Sequence, residues 1–463
     1  GNSMAKNLSV WQPENQQFWQ SSGQAIAKRN LWISVPALLL AFAIWQVWSV
    51  AVVKLPNIGF AYSKNQLFWL AGLPALSGAT LRIFYSFVVP VFGGRRWTAI
   101  STASLLIPAI GLGVAVQNPE TSYLTMVILA LLCGFGGANF SSSMSNISFF
   151  FPKAEKGGAL GINAGLGNLG VSVVQFVVPI VITFALFGAL GGEAQTITNK
   201  DGTSSQIWLQ NAGFVWVPFI ILSTLMAWFG MNDIDSAKAS FKDQAVIFKR
   251  KHNWLMCWLY IGTFGSFIGF SAGFALLTKQ VFPDVDPTKY AFLGPLVGAL
   301  MRVIGGKLSD KFAASKVTEV SFIVMMLAVV GVIFTLPTAT NAGSFTGFFV
   351  CFMLLFAFTG IGNASTFAQA PRIFGVLHRR HAQAQGLSET QADANATKES
   401  AAVVGFMGAI GAYGGFFIPK SFGTSIDMTG SAQAALVCFI LFYASCVLIN
   451  WWFYARKNAE VKC

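Results

Sequence analysis

Acidic residues and histidines are scarce: 17 Asp and Glu and three His stand among 463 residues. None of the acids falls in the middle of an apolar run. Glu120, Glu193, Asp201, Asp284, Asp286 and Asp427 fall in or near the loops of one side. The other eleven are terminal, in loops of the opposite side, or at helix ends facing that side. His252, His378 and His381 read as loop residues. An enzyme needs a converging nucleophile, base or metal ligand set, and these positions offer none within the apolar runs. The six cysteines lack metal-ligand spacing and all but Cys463 lie in apolar runs, which points to reduced, inert thiols rather than a disulfide framework. No metal and no cofactor is expected. Charged residues make up 10% of the chain and hydrophobic ones 54%, against about 25% and 45–50% in soluble domains. With a mean hydropathy of +0.61, the chain reads as an all-α membrane protein.

A transmembrane helix takes about 20 predominantly apolar residues. Qualifying runs start near Leu31, Gln66, Trp97, Ser122, Gly157 and Phe214, then near Asn253, Thr288, Val317, Ser344, Ala401 and Ala432. The expected organisation is a segment over 1–30, six helices over 31–233, a linker over 234–252, six helices over 253–455 and a tail over 456–463. Gly1 to Ser3 ahead of Met4 look like a cloning remnant, and the polar start, ending in Lys28 and Arg29, does not read as a cleavable signal peptide. Lys238, Lys242, Lys249, Arg250 and Lys251 make the linker basic. If both termini are cytoplasmic, 22 of the 30 basic residues face the cytoplasm. Lys54, Lys64, Lys200, Lys279, Lys289 and Lys420 lie opposite, and Arg82 and Arg302 remain inside the apolar runs. That excess fixes the expected orientation, so the net charge of +13 is topological and calls for no nucleic-acid partner.

The two halves are copies. Leu76, Gly78, Ala79, Arg82 and Phe92 recur as Leu296, Gly298, Ala299, Arg302 and Phe312, and Arg96 returns as Lys316. Trp32 and Phe42 recur as Trp254 and Phe264; Gly134, Gly136 and Ala138 recur as Gly360, Gly362 and Ala364. Small residues repeat every third position as Gly161, Ala164, Gly167, Gly170 and as Gly405, Gly408, Gly411, Gly414. Two parallel, pseudo-symmetric six-helix bundles with a midplane site between them are a transporter architecture. An arginine at bilayer depth costs about 2.5–3.5 kcal/mol on the lenient insertion scale. With no acid at that depth, a ligand anion is expected to complete the Arg82 and Arg302 pair. Two guanidinium forks suit a small planar oxyanion, because each donates two parallel hydrogen bonds.

Several stretches carry a family resemblance. GGKLSDKFAASK (Gly305 to Lys316), with its abbreviated partner FGGRRW, resembles the loop motif of the major facilitator superfamily. Gly136 to Gln175, GIGNASTF (Gly360 to Phe367) and GFMGAIGAYGGFFIPKSFG (Gly405 to Gly423) resemble the signature regions of the nitrate/nitrite porters. The similarity runs from Trp11 onward. It implies a multi-pass inner-membrane carrier, monomeric in the bilayer, that exchanges nitrate for nitrite by alternating access. It also implies an aromatic clamp on a flat anion. Phe140, Phe264 and Phe367 are candidates for that clamp, with Tyr260, four residues before Phe264 and so on the same helix face, offering a hydroxyl.

Asn168 is a substrate candidate on its own account, since its repeat counterpart is Ala412 and an amide can donate to an anion. Gly161, Gly167, Gly170, Gly408, Gly411 and Gly414 are expected to pack helices closely. Asp310 and Lys311, with Lys316, are expected to latch the inward gate through charge and helix-dipole contacts. Proton-coupled nitrate uptake and exchange of an organic or inorganic phosphate are the alternatives. A channel or an anion sensor is disfavoured by the two-fold repeat with a single charge pair.

Overall fold

The computed structural model describes residues 6–199, 201–235 and 244–463. Lys200, Lys238, Lys242 and the leading Gly1 to Ser3 lie outside the described residues. Among the described residues, twelve helices are long and apolar enough to cross a membrane. They are α1 (Gln16–Lys54), α2 (Lys64–Tyr85), α3 (Gly94–Ala115), α4 (Tyr123–Phe150), α5 (Lys153–Val181) and α6 (Asn211–Gly230), then α7 (Lys251–Val281), α8 (Leu293–Lys311), α9 (Ala314–Thr335), α10 (Phe345–Gln385), α11 (Glu389–Thr429) and α12 (Gln433–Ala455). The chain divides into two compact units, one of Gly1–Ala239 with Pro287–Phe292 and one of Ser240–Asp286 with Leu293–Cys463. They are unit 1 and unit 2 below.

Among the described residues, two small sheets supplement the helices. A two-residue strand β1 (Asn7–Leu8) pairs in parallel with β4 (Asp233–Ile234), and β2 (Gln195–Thr198) pairs antiparallel with β3 (Ser204–Ile207). Asp201 and Gly202 turn the hairpin, Asp201 Oδ1 accepting from Thr203 N at 3.0 Å.

The first helix starts well before Leu31. Asn15 caps it, its Oδ1 accepting from Gln17 N and Phe18 N at 3.0 and 3.2 Å. Leu8, Trp19, Ile26 and Ala27 are buried against Ile147, Phe150 and Phe151, and Trp11 Nε1 donates to Phe149 O at 2.9 Å. The leading segment is thus packed into unit 1.

The histidines lie in helices rather than in loops. α10 runs through His378 and His381 to Gln385 because Ala, Gln, Leu and Arg in this stretch are strong helix formers. It ends at Gly386, whose φ of 70° only glycine adopts readily. Ser388 then caps α11, accepting from Gln391 N at 3.2 Å. His378 bonds Glu399, which also accepts from Arg250 Nε at 2.6 Å. His252, in the first turn of α7, is buried with Nδ1 2.7 Å from Tyr454 Oη. The last residues fold back onto the same unit: Lys251 Nζ donates to Glu460 at 2.8 Å and Ser315 N to Cys463 O at 3.2 Å. The Lys251 hydrogen bond holds the Glu460 carboxyl below its ordinary range.

Within each unit the glycines of the second and fourth helices set how closely helices approach. A β-carbon built on Gly78 of α2 would lie 2.7 Å from Trp45 Nε1 of α1, and one on Gly298 of α8 would lie 2.6 Å from Phe267 of α7. Trp45 and Phe267 are themselves repeat partners, by the spacing that relates Phe42 to Phe264. A β-carbon on Gly136 would overlap Ala41 O, and one on Gly362 would lie 2.7 Å from Thr263 Cγ2. Each unit therefore builds the same crossing with different side chains, and small residues replace the hydrophobic drive that lipid removes.

Candidate functional site

Arg82 sits in the last turn of α2 with only 1% of its surface exposed. Its Nε donates to Gly137 O of α4 at 2.9 Å. The guanidinium carbon lies 5.1 Å from the Trp45 ring centre and 4.9 Å from that of Phe140. Phe42 props both rings, edge to face, at 5.4 Å from Trp45 and 5.9 Å from Phe140. Trp45 is held in turn by its indole N–H, which donates to Pro74 O at 2.8 Å. Phe140 thus stands beside the arginine. Trp45 was missed in the sequence, because one tryptophan among fourteen carries no signal until its helix is placed against α2.

Asn168 lies on α5, is 6% exposed, and its Oδ1 has no hydrogen-bond partner among the described residues. Beside it, Gly167 and Gly170 face α1: a β-carbon on Gly167 would lie 2.7 Å from Leu38, and one on Gly170 would overlap Leu39 O.

Unit 2 repeats the pattern with a looser arginine. Arg302 of α8 is half-buried, with its guanidinium carbon 5.5 Å from the Phe367 ring centre of α10. Among the described residues its guanidinium donates no hydrogen bond and makes no ion pair. Phe367 lies 6.0 Å from Tyr260, and Tyr260 stacks on Phe264 at 5.3 Å with an interplanar angle of 4°. Residues Ile261–Gly265, which follow Tyr260 and include Phe264, form a π-helical turn, a widening that recurs at functional sites. Gly411 and Gly414 of α11 let that turn approach: a β-carbon on Gly411 would lie 2.6 Å from Tyr260 Cδ2, and one on Gly414 would overlap Gly265 Cα.

Among the described residues, the expected close packing is not found at Gly161 and Gly408, where a β-carbon meets nothing within 4 Å. A step of three residues advances an α-helix by 300°, so a three-residue row drifts by about 60° per step. The row faces α1 or α7 at the later glycines and has turned into open space at these two.

Asp310 is exposed at the end of α8, 3.9 Å from Arg372 Nη2, which also donates to Ser309 O at 2.8 Å. Lys311 Nζ lies 5.6 Å from the Phe312 ring. Through Arg372, Asp310 and Ser309 join the end of α8 to α10. Unit 1 carries a tighter ion pair that sequence reasoning did not single out. Asp233 accepts from Arg95 N at 2.8 Å and Arg95 Nε at 3.2 Å, capping α3 where Gly93 turns the chain with a φ of 87°. The acid and its partner are far apart in sequence, which hid the pairing.

A model of the Major Facilitator Superfamily matches residues 36–390. The nitrate/nitrite transporter NarU of Salmonella typhimurium is 53% identical over 453 residues, spanning 98% of this chain and 97% of that protein. The chain belongs to the nitrate/nitrite porter family of that superfamily. A Thermus thermophilus relative described as "Probable nitrate/nitrite antiporter NarK2" is 44% identical, spanning 98% of both chains. The crystal structure of a bacterial homolog to the human lysosomal transporter Spinster covers 91% of this porter and 96% of its own chain, with a TM-score of 0.63 at 14% identity; it shows the same fold. The relatives are transporters, and the twelve spans make this porter a multi-pass protein of the membrane.

Proposed function

We propose that this porter exchanges nitrate for nitrite across the bacterial inner membrane by alternating access, as a monomer with both termini in the cytoplasm. The anion is held between the Arg82 and Arg302 guanidinium groups. Asn168 and Tyr260 orient it, and Phe140, Phe264 and Phe367 cover its faces and exclude water. The observation that carries this reading is the setting of Arg302, which among the described residues meets a ring face and no carboxylate. A guanidinium over an aromatic ring gains about 0.5–2 kcal/mol, less than the about 2.5–3.5 kcal/mol an arginine costs at the bilayer centre. A bound anion makes up the difference. The names of the NarU and NarK2 relatives supply the substrates. Exchange in proteoliposomes loaded with nitrite and supplied with nitrate tests the reading: the carrier takes up nitrate faster when loaded and little when empty, whereas a channel shows no such acceleration.

Coupling follows from the distribution of acids. Proton symport needs a group that changes protonation at membrane depth. Glu319, which accepts from Asn450 Nδ2 at 2.7 Å, and Glu399 are both within a few turns of their helix starts or of the C-terminal tail rather than in mid-span. A proton gradient alone is therefore expected to drive no nitrate accumulation into vesicles without an internal anion. Uphill uptake there, read by tracer nitrate, would overturn exchange.

The amide is tested separately. Asn168→Ala is expected to weaken nitrate binding by about 1–1.5 kcal/mol, or up to about 3 if a charged partner is stranded. The protein should stay folded and monodisperse, because Ala412 occupies the matching position of α11. Titration calorimetry giving native affinity would return Asn168 to a packing role.

A further inference from the structure

The repeat that relates Gly134, Gly136 and Ala138 to Gly360, Gly362 and Ala364 carries Gly137 onto Asn363. In unit 1 the carbonyl of Gly137 accepts from Arg82 Nε at 2.9 Å. In unit 2 the matching position holds an amide side chain, 2% exposed, whose Oδ1 has no partner among the described residues. Buried amides almost always find partners, so an orphaned one calls for an explanation. The guanidinium of the same unit, that of Arg302, donates no hydrogen bond among the described residues.

Helix geometry gives the direction of Asn363. Gly360, Ile361 and Ala364 of α10 face α8: a β-carbon on Gly360 would overlap Gly298 O and lie 3.1 Å from Arg302 N, and one on Gly305 would lie 2.7 Å from Ile361 Cα. Gly362 and Thr366 face α7 through Thr263, while Ser365 and Gln369 bond Thr318 of α9. At 100° per residue, the stripe between the α7 and α8 faces holds Asn363 and Phe367, one turn apart. Phe367 fills that stripe with Arg302 on one side and Tyr260 on the other.

We infer that Asn363 is the positioning residue for Arg302. Its Oδ1 accepts from the guanidinium when the anion engages it, the part that the Gly137 carbonyl plays for Arg82. This role rests on the two-arginine reading above. It also makes the halves of the site unequal, since one arginine is held by fixed backbone and the other by a side chain that can turn.

The test is nitrate binding by titration calorimetry to the purified full chain. Asn363→Ala and Asn363→Ser are both made, the serine because its hydroxyl folds back onto its own helix carbonyl and so keeps the turn intact. Each is expected to bind nitrate roughly tenfold more weakly or worse, with an unchanged size-exclusion profile and thermal midpoint. In an Arg302→Lys background the replacement should add little further loss; in an Arg82→Lys background it should add its full loss. Full additivity in both backgrounds, or native affinity in a folded Asn363→Ser protein, overturns the role. Native affinity in both lysine variants sinks the two-arginine reading and this role with it. Loss in the lysine variants beside native affinity in Asn363→Ser sinks the role of Asn363 alone.

Discussion

Arg82→Lys and Arg302→Lys should each cut nitrate/nitrite counterflow by about tenfold or more while the protein still inserts and elutes as a single species. Lysine keeps the positive charge and loses the planar fork, so the pair of variants separates charge balance from bidentate recognition. At position 82 the guanidinium both donates to Gly137 O and lies against the faces of Trp45 and Phe140. One ammonium on a flexible stem cannot keep the Gly137 bond, cover two rings and present two parallel donors to an oxyanion. A hydrogen bond to a charged group is worth about 1.5–3 kcal/mol, which is roughly a ten- to hundredfold change in a rate or an affinity. The same argument bears on why the carrier exchanges rather than leaks. On the two-arginine reading proposed above, two cations with no anion between them would repel in a low dielectric, and binding would relieve that repulsion. Counterflow in liposomes with each variant decides the matter, and near-native rates in both would mean that charge alone suffices.

The spans, the repeat and both arginines were legible because apolar length and a lone charge survive as one-dimensional signals. What was not legible depended on partners distant in the chain. Trp45 and Gly137 become ligands of the arginine only when α1 and α4 are laid on α2, and Asp233 meets Arg95 across most of unit 1. His378 and His381 were misplaced for a different reason. They lie beyond the apolar run and so read as loop residues, although Gly386 and Ser388 mark a helix end and a helix start, and Glu389 follows at the first turn. Likewise Asp201-Gly202 between alternating Thr, Ile and Ser is a hairpin signal that an all-helical reading passes over.

Glycines were legible only as a class. Spacing by threes predicted one function for Gly161, Gly167 and Gly170 alike, whereas the helix faces them toward different surroundings. Asn168 and Asn363 show the same limit. The first stood out because its repeat partner is alanine, while the second sat inside a quoted motif without a signal of its own. Only the orphaned Oδ1 and the stripe it shares with Phe367 set it apart.

Gly360→Val is expected to leave little folded protein, where Gly161→Ala and Gly408→Ala are expected to leave it untouched. A β-carbon at 360 would overlap Gly298 O and lie 3.0 Å from Gly298 C and 3.1 Å from Arg302 N. All three are backbone atoms, so no rotamer change relieves the overlap, and α8 must move off α10. Overpacking a dense interior costs about 1–3 kcal/mol when side chains can yield, and a clash against backbone exceeds that range. Separation also forfeits the close contact that, with lipid on the outside, is the main source of helix association. The displaced segment carries Arg302 itself, so any protein that does fold should bind anion poorly. At 161 and 408 a methyl group meets nothing within 4 Å, and alanine is the better helix former by about 1 kcal/mol. Thermal unfolding followed by size-exclusion separates the cases. A Gly360→Val protein with a native midpoint would show that α8 and α10 tolerate separation, and the glycine would then serve the moving carrier rather than its fold.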